Sequence, residues 1–140
     1  MILKKFLLKN FSRIFVLLII FSALNGCCVF SSIHFDQSSI QNIIECRGRI
    51  LVLYDMILDN PDELMINDIR NDIIRMQNYE QKKGCNNESI KCTGLILSMF
   101  NQHMKDRKAG NWSIGTRDNN LAQIDKLIDQ AIKTEEAKTK

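Results

Sequence analysis

From Ile40 to Ile132 the apolar side chains return at intervals of three and four, a period that calls for helices. The first predicted helix covers 39–59. Its stripe is Ile40, Ile43, Ile44, Arg47, Ile50, Leu51, Tyr54, Ile57 and Leu58, with Arg47 the single polar member. The run Asp59-Asn-Pro-Asp-Glu-Leu64 then punctuates the chain. Asn60 suits an N-cap, Pro61 the first helical position, and Glu63 the third position of a capping box.

A second helix is predicted over 61–83, with Met65, Ile66, Ile69, Ile73 and Met76 inward and Asp68, Arg70, Asp72 and Arg75 outward. Lys82 and Lys83 favour its negative C-terminal dipole, and Gly84 suits the C-cap. Asn87 can cap a third helix over 88–108, whose face is Cys92, Leu95, Ile96, Met99, Phe100 and His103. The run from Lys108 to Asn120, with two glycines and several turn formers, reads as a long loop. The fourth helix is expected over 120–136, with Leu121, Ile124, Leu127, Ile128, Ala131 and Ile132 on one stripe. The polar end from Thr134 is expected to fray, with a disordered tail over 137–140. No strand pattern, internal repeat or low-complexity block interrupts this. Helices joined by short connections pack antiparallel, so the expected fold is all-α, a small up-down bundle of about four helices spanning 39–136.

The N-terminal residues follow a different logic. Lys4, Lys5, Lys9 and Arg13 precede an apolar core of 11 residues, Ile14 to Leu24, and no acidic residue accompanies them. That is the layout of an export signal, whose apolar core runs to about 7–15 residues. A spanning helix wants about 20; counting on to Phe30 gives 17, with Asn25 and Gly26 inside. A retained signal anchor and plain secretion are the alternatives.

The boundary Leu24-Asn25-Gly26-Cys27 resembles the lipobox of bacterial lipoprotein precursors. Leu24, Gly26 and Cys27 match it, and Asn25 stands where Ala, Ser or Thr is usual. The resemblance covers residues 1–28. It implies cleavage after residue 26, a diacylglycerol on Cys27 and acylation of the new N-terminus, with 27–38 as a short lipidated tether. In that class Asp after the lipidated Cys favours inner-membrane retention; Cys28 stands there, so of the cell membrane and the outer membrane the resemblance favours the outer, with the chain facing the periplasm. Each buried methylene contributes about 0.8 kcal/mol, and two anchors already suffice for stable attachment.

Removing the leader changes the charge balance. Of 19 Lys and Arg, four lie in residues 1–26, and none of the 16 acidic residues does. The remaining 114 residues are nearly neutral, 15 basic against 16 acidic, with no basic stripe for phosphates. No nucleic-acid partner is expected. The length suits one small domain.

Such a domain gains from a cross-link, and the periplasm is oxidising. With Cys27 lipidated, Cys28, Cys46, Cys85 and Cys92 remain. In an up-down arrangement Cys46 lies about three residues, or ~5 Å, above the level of Cys92. A Cys46–Cys92 bridge between helices is therefore one expectation, a local Cys85–Cys92 bridge a second, and buried free thiols a third.

Chemistry-bearing constellations are sparse. His34 and His103 have no ligand at metal spacing, so no metal site is expected. Cys92 and His103 are about 16 Å apart along one helix, too far for a nucleophilic dyad. Asp59, Asp62 and Glu63 lie where caps explain them, and Asp125 and Asp129 flank the last stripe as solvated groups. No phosphate loop or nucleophile elbow is present. The expectation is a non-enzyme with no cofactor, no catalytic residue and no small-molecule substrate. Trp112, the only tryptophan, lies in a glycine-flanked loop; it either folds down to cap the bundle or anchors a protein partner.

In broad layout the chain is similar to helical pilotins, lipoproteins that escort secretin subunits of secretion or pilus systems to the outer membrane. That likeness implies an apolar groove for a partner helix. An immunity or entry-exclusion lipoprotein would instead present a charged face, for which the Asp/Arg surface of the second helix is suited.

Overall fold

Asp36 opens the first helix, its carboxylate accepting from the Ser38 backbone N–H at 2.9 Å. The computed structural model describes residues 35–59, 61–84 and 86–138. The leader, Cys27, Cys28, His34, Asn60 and Cys85 lie outside the described residues, and so do the expectations that fall on them.

Helix α1 is Gln37–Met56 and runs on into a single 3-10 turn, Ile57–Asp59. Helix α2 is Glu63–Lys83, α3 is Asn87–Lys108 and α4 is Ile114–Glu136. There is no strand among the described residues. Neighbours pack as α1 on α2, α2 on α3, α3 on α4 and α4 back on α1, so the helices close a four-membered ring. This is the expected all-α up-down bundle. Its core is filled from all four helices, notably by Ile50 and Leu53, Ile66, Ile69 and Ile73, Ile96 and Phe100, and Ile124 and Ile128.

Several local expectations are corrected. The cap of α2 is Asp62, whose carboxylate accepts from the Leu64 N–H at 2.9 Å; Pro61 precedes the helix, buried, and Glu63 is its first residue. Glu63 therefore turns outward to Lys108, 3.1 Å, and Arg107, 3.4 Å, instead of closing a capping box. The long loop before the last helix shrinks to 109–113. Ser113 caps α4 by accepting from the Thr116 N–H at 3.2 Å, so Gly115 and Asn120 are carried inside a helix six residues longer than expected. Gly84 does end α2, at φ +65°, and Gly110 takes φ +77° after α3, where only glycine is unstrained.

The α1 stripe is also narrower on one side. Ile44 and Leu51 lie outward, 47 % and 36 % exposed, while Cys46 and Leu53 replace them in the core. At the other terminus Glu135 is fully buried. The helix is thus anchored into its last turn, and the expected fraying does not occur over 134–136.

No disulfide joins Cys46 to Cys92. Both are buried free thiols. Cys46 lies in the seam between α1 and α2 beside Met76, whereas the Cys92 sulfur lies 3.8 Å from Thr134 Oγ1 on α4. The two thiols are turned toward different neighbours, Cys46 toward α2 and Cys92 toward α4.

Candidate functional site

Both ends of the bundle concentrate polar chemistry, in different ways. At the end where α1 begins, each apolar stripe runs on at the same spacing into a polar residue: Ser39 on α1, Glu80 on α2, Ser89 on α3 and Glu135 on α4. All four are at most 3 % exposed. Ser39 donates to Glu80, Asn86 donates its amide to the other oxygen of Glu80, and Ser89 donates to Glu135. Two cations complete the layer. Lys83 Nζ lies 3.0 Å from Glu80, 3.1 Å from Asp36 and 3.9 Å from Glu135, and Lys138 pairs with Glu135.

The electrostatics follow from this geometry. Burial alone would raise the Asp36 carboxyl, but hydrogen bonds from Tyr79, Lys83 and the Ser38 N–H outweigh it and hold the group at about 2. Burial opposes the charge on Lys83, yet its bonds to Glu80 and Asp36 prevail and its pKa is raised. Each carboxylate has a donor and each ammonium a carboxylate, and only Glu135 Oε2 is buried without a hydrogen bond, 3.9 Å from Lys83, so the network ties the four helices together at one level.

The opposite end is aromatic. The Tyr54 hydroxyl lies 2.6 Å from His103 Nδ1, and the indole of Trp112 packs edge-on against Tyr54 at 5.5 Å and His103 at 6.4 Å between ring centroids. Burial pushes the tyrosine pKa up and the histidine pKa down. Trp112 is half-buried and its indole N–H is enclosed with no acceptor. It folds down over the core, and one edge of the ring forms the wall of a hollow of about 440 Å³ shared with Ile57, Leu58, Glu63, Arg107 and Lys108. Around the same end lie Leu58, Leu64 and Ile114, 39 %, 69 % and 63 % exposed.

A second hollow, about 370 Å³, opens between α1 and α2 and is lined largely by Glu45, Arg49, Asp72, Arg75 and Tyr79, with Cys46 and Met76 at its base. Asp72 pairs there with both Arg49 and Arg75. Burial drives the Cys46 thiol up to about 12, so it is inert at neutral pH. Asp125 and Asp129, expected to be solvated, instead hold Arg47 at 2.8 and 2.9 Å across the α1–α4 seam. The single polar member of the α1 stripe thus has its counterions on the neighbouring helix.

His103 meets Tyr54 and Cys92 meets Thr134, so the two do not approach each other. Among the described residues no three His, Cys, Asp or Glu side chains converge as metal ligands, and no helix is long and apolar enough to cross a membrane. No family model, curated protein or solved structure matches this chain.

The buried layer of Ser39, Glu80, Ser89 and Glu135 escaped sequence reasoning, although its signal was present. Residues 66, 69, 73, 76 and 80, and residues 124, 128, 131 and 135, keep one helical spacing, so each glutamate continues a stripe of core positions.

Proposed function

We propose that this chain is a lipid-anchored protein of the bacterial envelope, attached through acylated Cys27 at the periplasmic face of the outer membrane, and that it acts by binding another protein. The observation that carries the binding role is the asymmetry of the bundle ends. Where α1 begins, polar side chains are buried and bonded to one another, with one oxygen of Glu135 facing only Lys83 at 3.9 Å. At the opposite end Leu58, Leu64 and Ile114 are left in solvent beside the Trp112 hollow. Apolar side chains gathered at one end, framed by charges, are the usual mark of a protein contact. The partner that suits this end presents an apolar anchor for the hollow. A pilotin-like role, escorting secretin subunits, is the version this apolar end favours.

A photo-cross-linking side chain at Leu64 or Ile114 of the full chain, expressed in its own cells, tests this. The expected product is an adduct with a secretin subunit, together with loss of secretin from the outer membrane in an Ile114→Asp strain. Unchanged secretin placement in that strain would exclude the pilotin version.

The charged hollow at Arg49, Asp72 and Arg75 favours a second reading, an immunity or entry-exclusion lipoprotein. In that case Arg75→Glu, and not Ile114→Asp, would sensitise cells to the toxin or admit the conjugating element.

A further inference from the structure

Helix α1 carries two apolar faces, and the bundle covers one of them. The inward face holds Ile43, Ile50, Leu53 and Tyr54. On the outward side Ile44, Leu51, Val52 and Met56 are 47 %, 36 %, 54 % and 40 % exposed, and they follow one another at helical spacing on both sides of Gly48. Gly48 itself is unexplained by the bundle. It lies mid-helix, and a Cβ built there meets nothing within 4 Å. Glycine at such a position costs about 0.5–1 kcal/mol relative to alanine. A position with free space around it would accept any good helix former, unless another backbone must come close.

We infer that this face is the contact between two copies of the chain, whose α1 helices cross antiparallel at Gly48. About a two-fold axis through that crossing, residues equally distant from Gly48 on either side face one another. Ile44 then meets Val52 of the second copy, and Val52 meets Ile44. Gln41, whose amide also donates to Glu45 of its own helix, meets Asp55. Along one edge, offset from that register, Glu45 comes beside Arg49 of the second copy, which also holds Asp72 of its own chain.

A parallel pair would set Glu45 against Glu45 and Asp55 against Asp55, so charge selects the antiparallel arrangement. The face is one helix wide and belongs to the small class of interfaces, which gives reversible association on the order of micromolar. This inference does not depend on the partner proposed for the Trp112 end.

Cysteine cross-linking of the full chain, with the unsubstituted chain as background, reads the geometry directly. Gly48→Cys should form a covalent dimer under mild oxidation. Met56→Cys should not, because the two positions 56 lie about 24 Å apart along an antiparallel crossing. Cross-linking at both positions would mean a parallel pair and would overturn the proposal.

Light scattering on the full chain in detergent supplies the second measurement. Gly48→Leu, for which the monomer has room, should keep the helical circular dichroism of the native chain. It should weaken dimerisation at least about tenfold, or ~1.4 kcal/mol. A native chain that stays monomeric would overturn the inference and assign the face to another protein or to the chain's own apolar leader. A Gly48→Leu chain that dimerises as well as the native one would overturn it equally.

Discussion

The hydroxyl of Tyr54 and Nδ1 of His103 lie 2.6 Å apart inside the bundle, joining α1 to α3 across the ring. A neutral imidazole can accept this bond through a bare Nδ1 or donate it through Nδ1–H, whereas a protonated one would place a charge in a site only 5 % exposed.

The folded pKa of His103 is lowered, chiefly by burial, with Asp106 opposing the shift. The unfolded chain therefore binds the proton more readily. The corresponding stability is fully present above the unfolded value, about 6.5, and is lost as pH falls through the folded one. Urea midpoints between about pH 5 and 8 should decline toward acid, and His103→Gln should flatten that slope. A native midpoint independent of pH over this range would contradict the assignment.

Asp36 acts lower on the pH scale. Its carboxyl is held at about 2 against an ordinary 3.8, so its contribution is whole above the ordinary value and disappears as pH falls through the folded one. Asp36→Asn keeps a competent N-cap while removing the charge that Lys83 and Tyr79 face. The variant should be less stable than the native chain at neutral pH, and the difference should vanish near pH 2, as followed by acid titration of helical circular dichroism.

Cys46 and Cys92 should resist alkylation in the folded chain, since one is pushed to about 12 by burial and both are enclosed. Peptide mapping after N-ethylmaleimide treatment should find them unmodified until denaturant is added. Rapid labelling of either in the folded state, or recovery of a Cys46–Cys92 peptide pair, would show a different packing of α1 and α3.

Cys27→Ser should abolish fatty-acid incorporation and stall or release the precursor, whereas Cys28→Ser should leave attachment intact. The spacing decides between them, because only Cys27 has Leu three residues before it and Gly immediately before it. Metabolic labelling with a fatty-acid analogue, followed by membrane fractionation, reports both variants. An unlabelled native chain that still fractionates with membranes would indicate an uncleaved signal anchor instead.

The helices were legible because apolar spacing is imposed by burial, the strongest force that favours folding. Ile66, Ile69, Ile73 and Met76, for example, occupy the inner face that their spacing predicts. The ends were less legible, because capping is decided by single side chains among several able to do it. Asn60, Asp62, Asn120 and Ser113 all qualify by type, and the geometry chose Asp62 and Ser113. Arg47 was visible as a polar residue on an apolar stripe, but its partners lie on a helix 78 and 82 positions away, and periodicity within one helix says nothing of distant neighbours. Ile44 and Leu51 share the spacing of the core residues and still face outward. A stripe broad enough to span both sides of a helix does not tell which part is covered.

Stripes built from isoleucine look much the same from one turn to the next. If α2 slid along α1 by a single turn, about 5.4 Å, Ile would still oppose Ile and the apolar burial would hardly change. The layer formed by Ser39, Glu80, Ser89 and Glu135 breaks that equivalence. In the shifted state Glu80 would lose Ser39 and sit among methyl groups, or else leave a hydroxyl and an amide stranded. One polar level thus works as the zero mark on a ruler whose other graduations are alike, and it selects a single axial alignment from several of nearly equal packing energy.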